Sequence, residues 1–280
     1  CGGTEAPMTT ATTPRYDTAA ALAPDARAAL RQLLLACADT KLLLGYHYGE
    51  WTFGTPALEA AVANCSIAQS ELGHVRLLHG ILKTNWDEDP DRLVETRAAS
   101  AFASVRYLDA DLPDWPAVVA MNFVVDLAVT RVIHAMRASA FTPLRSCAEK
   151  LLQEERYHIH HGQGWFRALA GGDAASREAV AAAVDRAVAA VVEWFGPDGA
   201  PQDALLVAAG VKAASDADLR RALLADVAQA AAPHDLTIRA PAPPAADTWD
   251  AARRRAGPGA PSDEVLYHLR GTKNELFKRA

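Results

Sequence analysis

Two Glu-x-x-His sequences, Glu71-Leu72-Gly73-His74 and Glu155-Arg156-Tyr157-His158, fall in separate segments of helical periodicity, and they restrict the chain to folds that gather several helices around a polar interior. Residues three apart on an α-helix share a face, so a carboxylate oxygen and an imidazole nitrogen of one motif can reach a common ion. A single motif arises often by chance, but two in matching positions carry weight. Asp126 precedes Glu155 by 29 residues, and the Ser139 to Pro143 break lies near the midpoint, so an antiparallel hairpin sets the two acids level. Lys41 precedes Glu71 by 30 residues about a centre at Pro56. Both hairpins thus bring a first-helix position to the height of a second-helix Glu-x-x-His, roughly 20 Å from the turn at about 1.5 Å per residue. The first-helix residue is a carboxylate in one hairpin and Lys41 in the other.

Apolar residues at three- and four-residue steps outline the helices. Leu30, Leu34, Cys37, Lys41, Leu44 and Tyr48 form one stripe between Pro24 and Trp51. Thr55 as N-cap and Pro56 at the first helical position predict a second helix to about Lys83. A shorter helix is expected over Asp91 to Tyr107. Trp115 to Ser139 reads as a nearly all-apolar core helix interrupted by Asp126, and Thr142-Pro143 opens a helix that Gly171-Gly172 stops. Two Ala-rich helices are expected over about 174–195 and 202–230. The whole reads as all-α: a flexible N-terminal arm (1–23), a helical domain (24–237), and a Pro/Ala-rich, charged, extended C-terminal tail (238–280) able to dock onto another surface.

A net charge of −6 without a long basic run argues against nucleic-acid binding. Cys1, Cys37, Cys65 and Cys147 are widely spaced, which suits a reduced chain rather than a disulfide framework. No uninterrupted apolar run approaches the roughly 20 residues of a membrane span, so the expected compartment is the cytoplasm.

The doubled motif is the one that ferritin-like carboxylate proteins use. Over about Leu33 to Ala170 the sequence resembles the ferritin-like subunits of phenylacetyl-coenzyme A epoxidase, a multicomponent monooxygenase. The shared features are Gly49-Glu50-Trp51 with Pro56, Val125-Asp126-Leu127, and Glu154-Glu155-Arg156-Tyr157-His158. The resemblance implies a ferritin-like four-helix bundle core with additional helices. It also implies oxygen insertion from O2 into an aromatic or acyl-coenzyme A substrate, with a separate reductase supplying electrons. In that family a catalytic subunit binds two irons, and a paralogous partner has lost ligands and serves structure. The catalytic pattern places ligands at Glu71, His74, Asp126, Glu155 and His158, with a glutamate where this chain has Lys41. Intact Glu71 and His74 resemble the catalytic kind, whereas the Tyr-His wording, the Gly-Glu-Trp turn and the Arg-rich tail resemble the structural kind.

Charge sharpens that choice. Two divalent irons with three carboxylates and a protonated Lys41 leave +2, which is costly in a dry core, whereas one divalent ion gives zero. Without metal the sum is −2, so one carboxyl would take up a proton. Two irons, one iron, manganese or no metal all stay open. The expected role is a catalytic monooxygenase component, with Glu71, Asp126, Glu155 and Lys41 at the reacting centre, working with a paralogous subunit or a second copy; the alternative is a non-catalytic structural partner subunit in which Lys41 replaces a metal ligand. Lys41 is expected to pair with Glu71 or Asp126. Glu154 is expected to face solvent or a partner, and His47, His79, His134, His160 and His161 to be surface or interface residues. His47 and Tyr48 are candidates for a substrate passage, and Cys37 and Cys65 for small core volumes.

Overall fold

In the computed structural model, which describes residues 14–272, helix α1 (Pro24–Glu50) begins at a proline, whose missing N–H costs nothing in a first turn. Its stripe of Leu30, Leu34, Cys37, Leu44 and Tyr48 is fully buried, with Lys41 among them. A 3₁₀ turn at Trp51–Phe53 leads to α2 (Leu58–Trp86). The N-cap of α2 is Ala57 and not Thr55, because the Thr55 hydroxyl donates instead to the Ala57 carbonyl at 3.1 Å. The helix continues past Lys83 to Asp87, which closes it in the left-handed region at φ 58°.

Helix α3 (Pro90–Glu95) is far shorter than expected. Tertiary partners take the backbone beyond it: Asp39 Oδ2 accepts the Ala103 N–H at 2.8 Å, and Trp194 Nε1 donates to the Ala103 carbonyl at 2.9 Å. These bonds hold the segment in 3₁₀ turns at Ala99–Ala101 and Arg106–Leu108.

The apolar helix Trp115–Ala135 consists of α4 (Trp115–Ala120), a π-helical segment (Met121–Asp126) and α5 (Leu127–Ala135). The helix is long and apolar enough in composition to cross a membrane, although Asn122, Asp126, Arg131 and His134 interrupt its apolar run, and 89% of its most apolar 18-residue window is buried within the fold. It is the central core helix. Helix α6 (Thr142–Ala170) returns antiparallel, and α7 (Ala174–Phe195) packs across α4 and the π segment. The helix expected over 202–230 is two, α8 (Pro201–Ala208) and α9 (Asp216–Ala231), separated at Gly210 (φ 66°) and restarted by a Ser215/Asp218 capping box.

Helices α1, α2, α4–α5 and α6 form an all-α, ferritin-like bundle of two antiparallel hairpins. The later chain lies against it. Trp249–Asp250 pairs antiparallel with Arg255–Ala256, and α10 (Asp263–Leu269) buries Leu266 against Leu42, Val75 and Phe102. Residues 1–13 of the N-terminal arm, with Cys1, and 273–280 of the tail lie outside the described residues.

Candidate metal centre

The hairpin geometry brings all six singled-out residues together, each buried. Lys41 comes from the middle of α1, Glu71 and His74 from α2, Asp126 from the last position of the π segment, and Glu155 and His158 from α6. A π turn inserts a residue into the helical repeat and shifts the phase of the helix beyond it.

The Lys41 ammonium stands at the centre. Its Nζ donates to Glu71 Oε1 at 2.9 Å, Asp126 Oδ1 at 2.6 Å and Glu155 Oε1 at 2.5 Å. The expected pairing with Glu71 or Asp126 is therefore a pairing with both, and with Glu155. Although burial opposes its charge, the three carboxylates raise the Lys41 pKa well above the usual lysine value, so it stays protonated. Burial pushes Glu71 up, but the ammonium outweighs it and brings the group to about 2. Glu155 falls well below the carboxylate range in the same way. Asp126 moves upward, because burial and neighbouring Glu155 prevail over Lys41.

The imidazoles point inward through Nδ1. His158 Nδ1 lies 3.1 Å from Glu71 Oε1, 3.3 Å from Asp126 Oδ2 and 3.4 Å from Glu155 Oε2. His74 Nδ1 lies 3.2 Å from Glu155 Oε1 and 3.7 Å from Glu71 Oε2. Their outer nitrogens are engaged: His158 Nε2 meets Ser70 Oγ at 2.7 Å, and His74 Nε2 meets Glu154 Oε2 at 3.0 Å. Because the Ser70 hydroxyl donates to the Ile67 carbonyl, His158 Nε2–H is the donor to Ser70. Each Nδ1 then needs a positive partner of its own, since a lone pair against carboxylate oxygens is repulsive. A proton or a metal ion serves. Burial opposes protonation of both rings, yet the carboxylates overcome it and raise His74 to about 9 and His158 to about 12. Three cations then face three carboxylates, so imidazole protons remove the −2 that ammonium and carboxylates alone leave.

Several residues that completed the site were not recognised from sequence. Tyr48, one heptad beyond Lys41 on the α1 stripe, donates to Asp126 Oδ2 at 3.2 Å and accepts from the Asn122 amide. Thr130, one turn after Asp126, donates to Glu155 Oε2 at 2.7 Å. Glu154 is only partly outward, since its carboxylate holds His74. His47 is buried against the Leu108 carbonyl at 3.1 Å and His79 is also buried, so neither is a surface residue. Cys37 is core, whereas Cys65 is exposed.

One ligand atom from each of Glu71, Asp126, Glu155 and His158 lies within 4.8 Å of the others, a set that could hold a metal ion. The inward Nδ1 atoms and Glu71 Oε2, buried without a well-aligned hydrogen-bond partner, suit such a donor set. Lys41 does not. Its Nζ already contacts three of the four donors, so the arrangement does not fit two ions, and one ion enters only if the ammonium leaves.

Among curated proteins none matches the sequence. The family model described as phenylacetic acid catabolic protein matches residues 8–254, spanning the bundle, every residue of this centre and the segment through Arg254. The chain therefore belongs to the phenylacetic acid catabolic protein family, which makes it a subunit of the phenylacetate-catabolic oxygenase type.

Proposed function

We propose that this chain is the non-catalytic, ferritin-like partner subunit of a phenylacetate-catabolic oxygenase, in which the Lys41 ammonium takes the place of the metal charge. The observation that carries the reading is the contact of one fully buried Nζ with three carboxylates at 2.5–2.9 Å. A buried carboxylate cluster without a cation costs several kcal/mol per charge. Lys41 supplies that cation covalently, so the bundle needs no metal to remain closed. A paralogous ferritin-like subunit carries out the oxygen insertion on an aromatic acyl thioester, and a separate reductase supplies its electrons.

The catalytic alternative rests on the four-donor set of Glu71, Asp126, Glu155 and His158. An iron bound there would supply dioxygen activation. Aerobically purified protein separates the two readings through its iron and manganese content per chain. The partner role predicts no stoichiometric metal, and two tightly held irons per chain would overturn it. Lys41→Glu sharpens the test, because it places a fourth carboxylate at the sixth ligand position. Metal occupancy should rise, and unchanged occupancy would mean that Lys41 is not what keeps metal out.

A further inference from the structure

Four arginines converge on one cleft in a chain whose net charge is −6. Arg31 comes from α1, Arg92 from α3, Arg97 from the segment after it, and Arg253 from the turn between the two short strands. The cleft has a volume of about 530 Å³, within the size range of small-molecule sites, and buried Leu93 and Ala103 are part of its lining. Its C-terminal wall is built by a turn with its own supports. Asp250 Oδ1 accepts the Ala252 and Arg253 N–H groups at 2.9 and 3.2 Å, and Arg254 bends the backbone at φ 52°. Arg254 is thereby directed to Asp216 and the Trp194 ring, while its neighbour Arg253 lines the cleft.

Internal pairs balance two of the four charges. Arg31 Nε donates to Glu88 Oε1 at 2.6 Å, and Arg97 donates to Asp39 Oδ1. The other two charges have no acid to meet. The Arg92 guanidinium has no ion pair or hydrogen bond among the described residues, and the Arg253 guanidinium donates to the neutral Gly259 carbonyl. The Nε–H groups of Arg97 and Arg253 are also buried without an acceptor, which is costly unless a ligand supplies one. A net +2 and unused guanidinium donors call for a compact dianion made only of acceptors, and a phosphate group has that charge and geometry. We infer that this cleft binds a phosphate group, free or carried on a small ester, and that the bound dianion ties the C-terminal turn to α1 and α3. The inference is independent of what the Lys41 centre holds, because none of the six residues of that centre lines the cleft.

The test is isothermal titration of the full chain at about 25 mM salt, where screening is weak, with inorganic phosphate, glycerol phosphate and, as a dicarboxylate of like charge, succinate. At least one of the two phosphates should bind, and succinate, whose charges sit at separate ends, should bind at least ~10-fold more weakly. Arg92→Gln gives up no internal contact, so it leaves the fold intact; it and Arg253→Gln should each weaken phosphate binding ~10-fold or more, since each removes a charged donor. Arg76→Gln, on the exposed side of α2, should leave the affinity unchanged. Bound phosphate should also slow tryptic cleavage after Arg253, relative to chloride at equal ionic strength. Tighter binding of glycerol phosphate than of inorganic phosphate would assign the site to an ester, and the reverse order to free phosphate. No heat with either phosphate, an affinity indifferent to both glutamine variants, or succinate bound as tightly as phosphate would each overturn the inference.

Discussion

Two buried lysines, Lys41 and Lys212, solve the same electrostatic problem in different ways. Lys212 donates to Asp203 and Asp216, Arg254 donates to Asp216 Oδ2 at 2.8 Å, and the Asp216 N–H donates to Asp203 Oδ2 at 2.8 Å. Arg254 also lies over the Trp194 ring at 4.4 Å and donates to the Trp194 carbonyl. Two permanent cations meet two acids there, with no titrating imidazole. Around Lys41 three acids meet one permanent cation, and two histidines supply the rest of the charge only while protonated. The Lys212 cluster is a rivet fastening α8, α9 and the C-terminal segment. The Lys41 cluster sets an ammonium among donors that could hold a metal ion. Burial and ion pairing alone therefore do not tell the two clusters apart; the inward imidazole nitrogens around Lys41 do.

The largest test of that contrast removes each ammonium. Lys41→Met and Lys212→Met should each cost about 3–5 kcal/mol in urea denaturation, because both strand buried acids. Only the Lys41 variant should recover stability when ferrous or manganous ion is added, and equal recovery of both would erase the distinction. The next effect is alkaline. A histidine raised to about 9 stabilises the fold fully below its unfolded value near 6.5 and loses that contribution as pH rises through about 9. The melting temperature should therefore fall between pH 8 and 10, and His74→Gln should flatten that fall while lowering stability at neutral pH. At the Lys212 cluster the pKa of Asp216 is depressed, so its contribution is lost only toward acid.

A smaller effect is steric. A Cβ on Gly162 would collide with Asn122 Oδ1, so Gly162→Ala should displace the amide that holds Tyr48 and cost about 1–3 kcal/mol by thermal unfolding. The smallest concerns the phenol itself. Tyr48→Phe removes the hydrogen bond to Asp126 and the acceptor of the Asn122 amide, and about 1–2 kcal/mol is expected. Neither change should move Trp249 fluorescence, since that ring sits at the Lys212 end with its Nε1 on the Glu193 carbonyl.

Much of the architecture was legible because helical periodicity is a local property. The level of Asp126 with Glu155 and of Lys41 with Glu71 followed from counting residues to each turn, and the Lys41 contacts bear out both. The segment after α3 was not legible: Asp39 and Trp194 capture its backbone, and both are distant in sequence. Cys65 was misplaced by residue type although its phase was informative. Six residues before Glu71 lies about 120° around the helix, away from the inward face.

By itself the sequence determined which helices exist, how they reverse, and which acids and imidazoles share a depth in the bundle, because these depend on spacing along one chain. Only the tertiary structure decided what the Lys41 side chain does. Its four-carbon stem could have carried the ammonium toward the bundle end, and the choice among positions belongs to the field of carboxylates converging from three other helices. The same holds for the proton count: the charge on His74 and His158 is fixed by neighbours that no local pattern reveals.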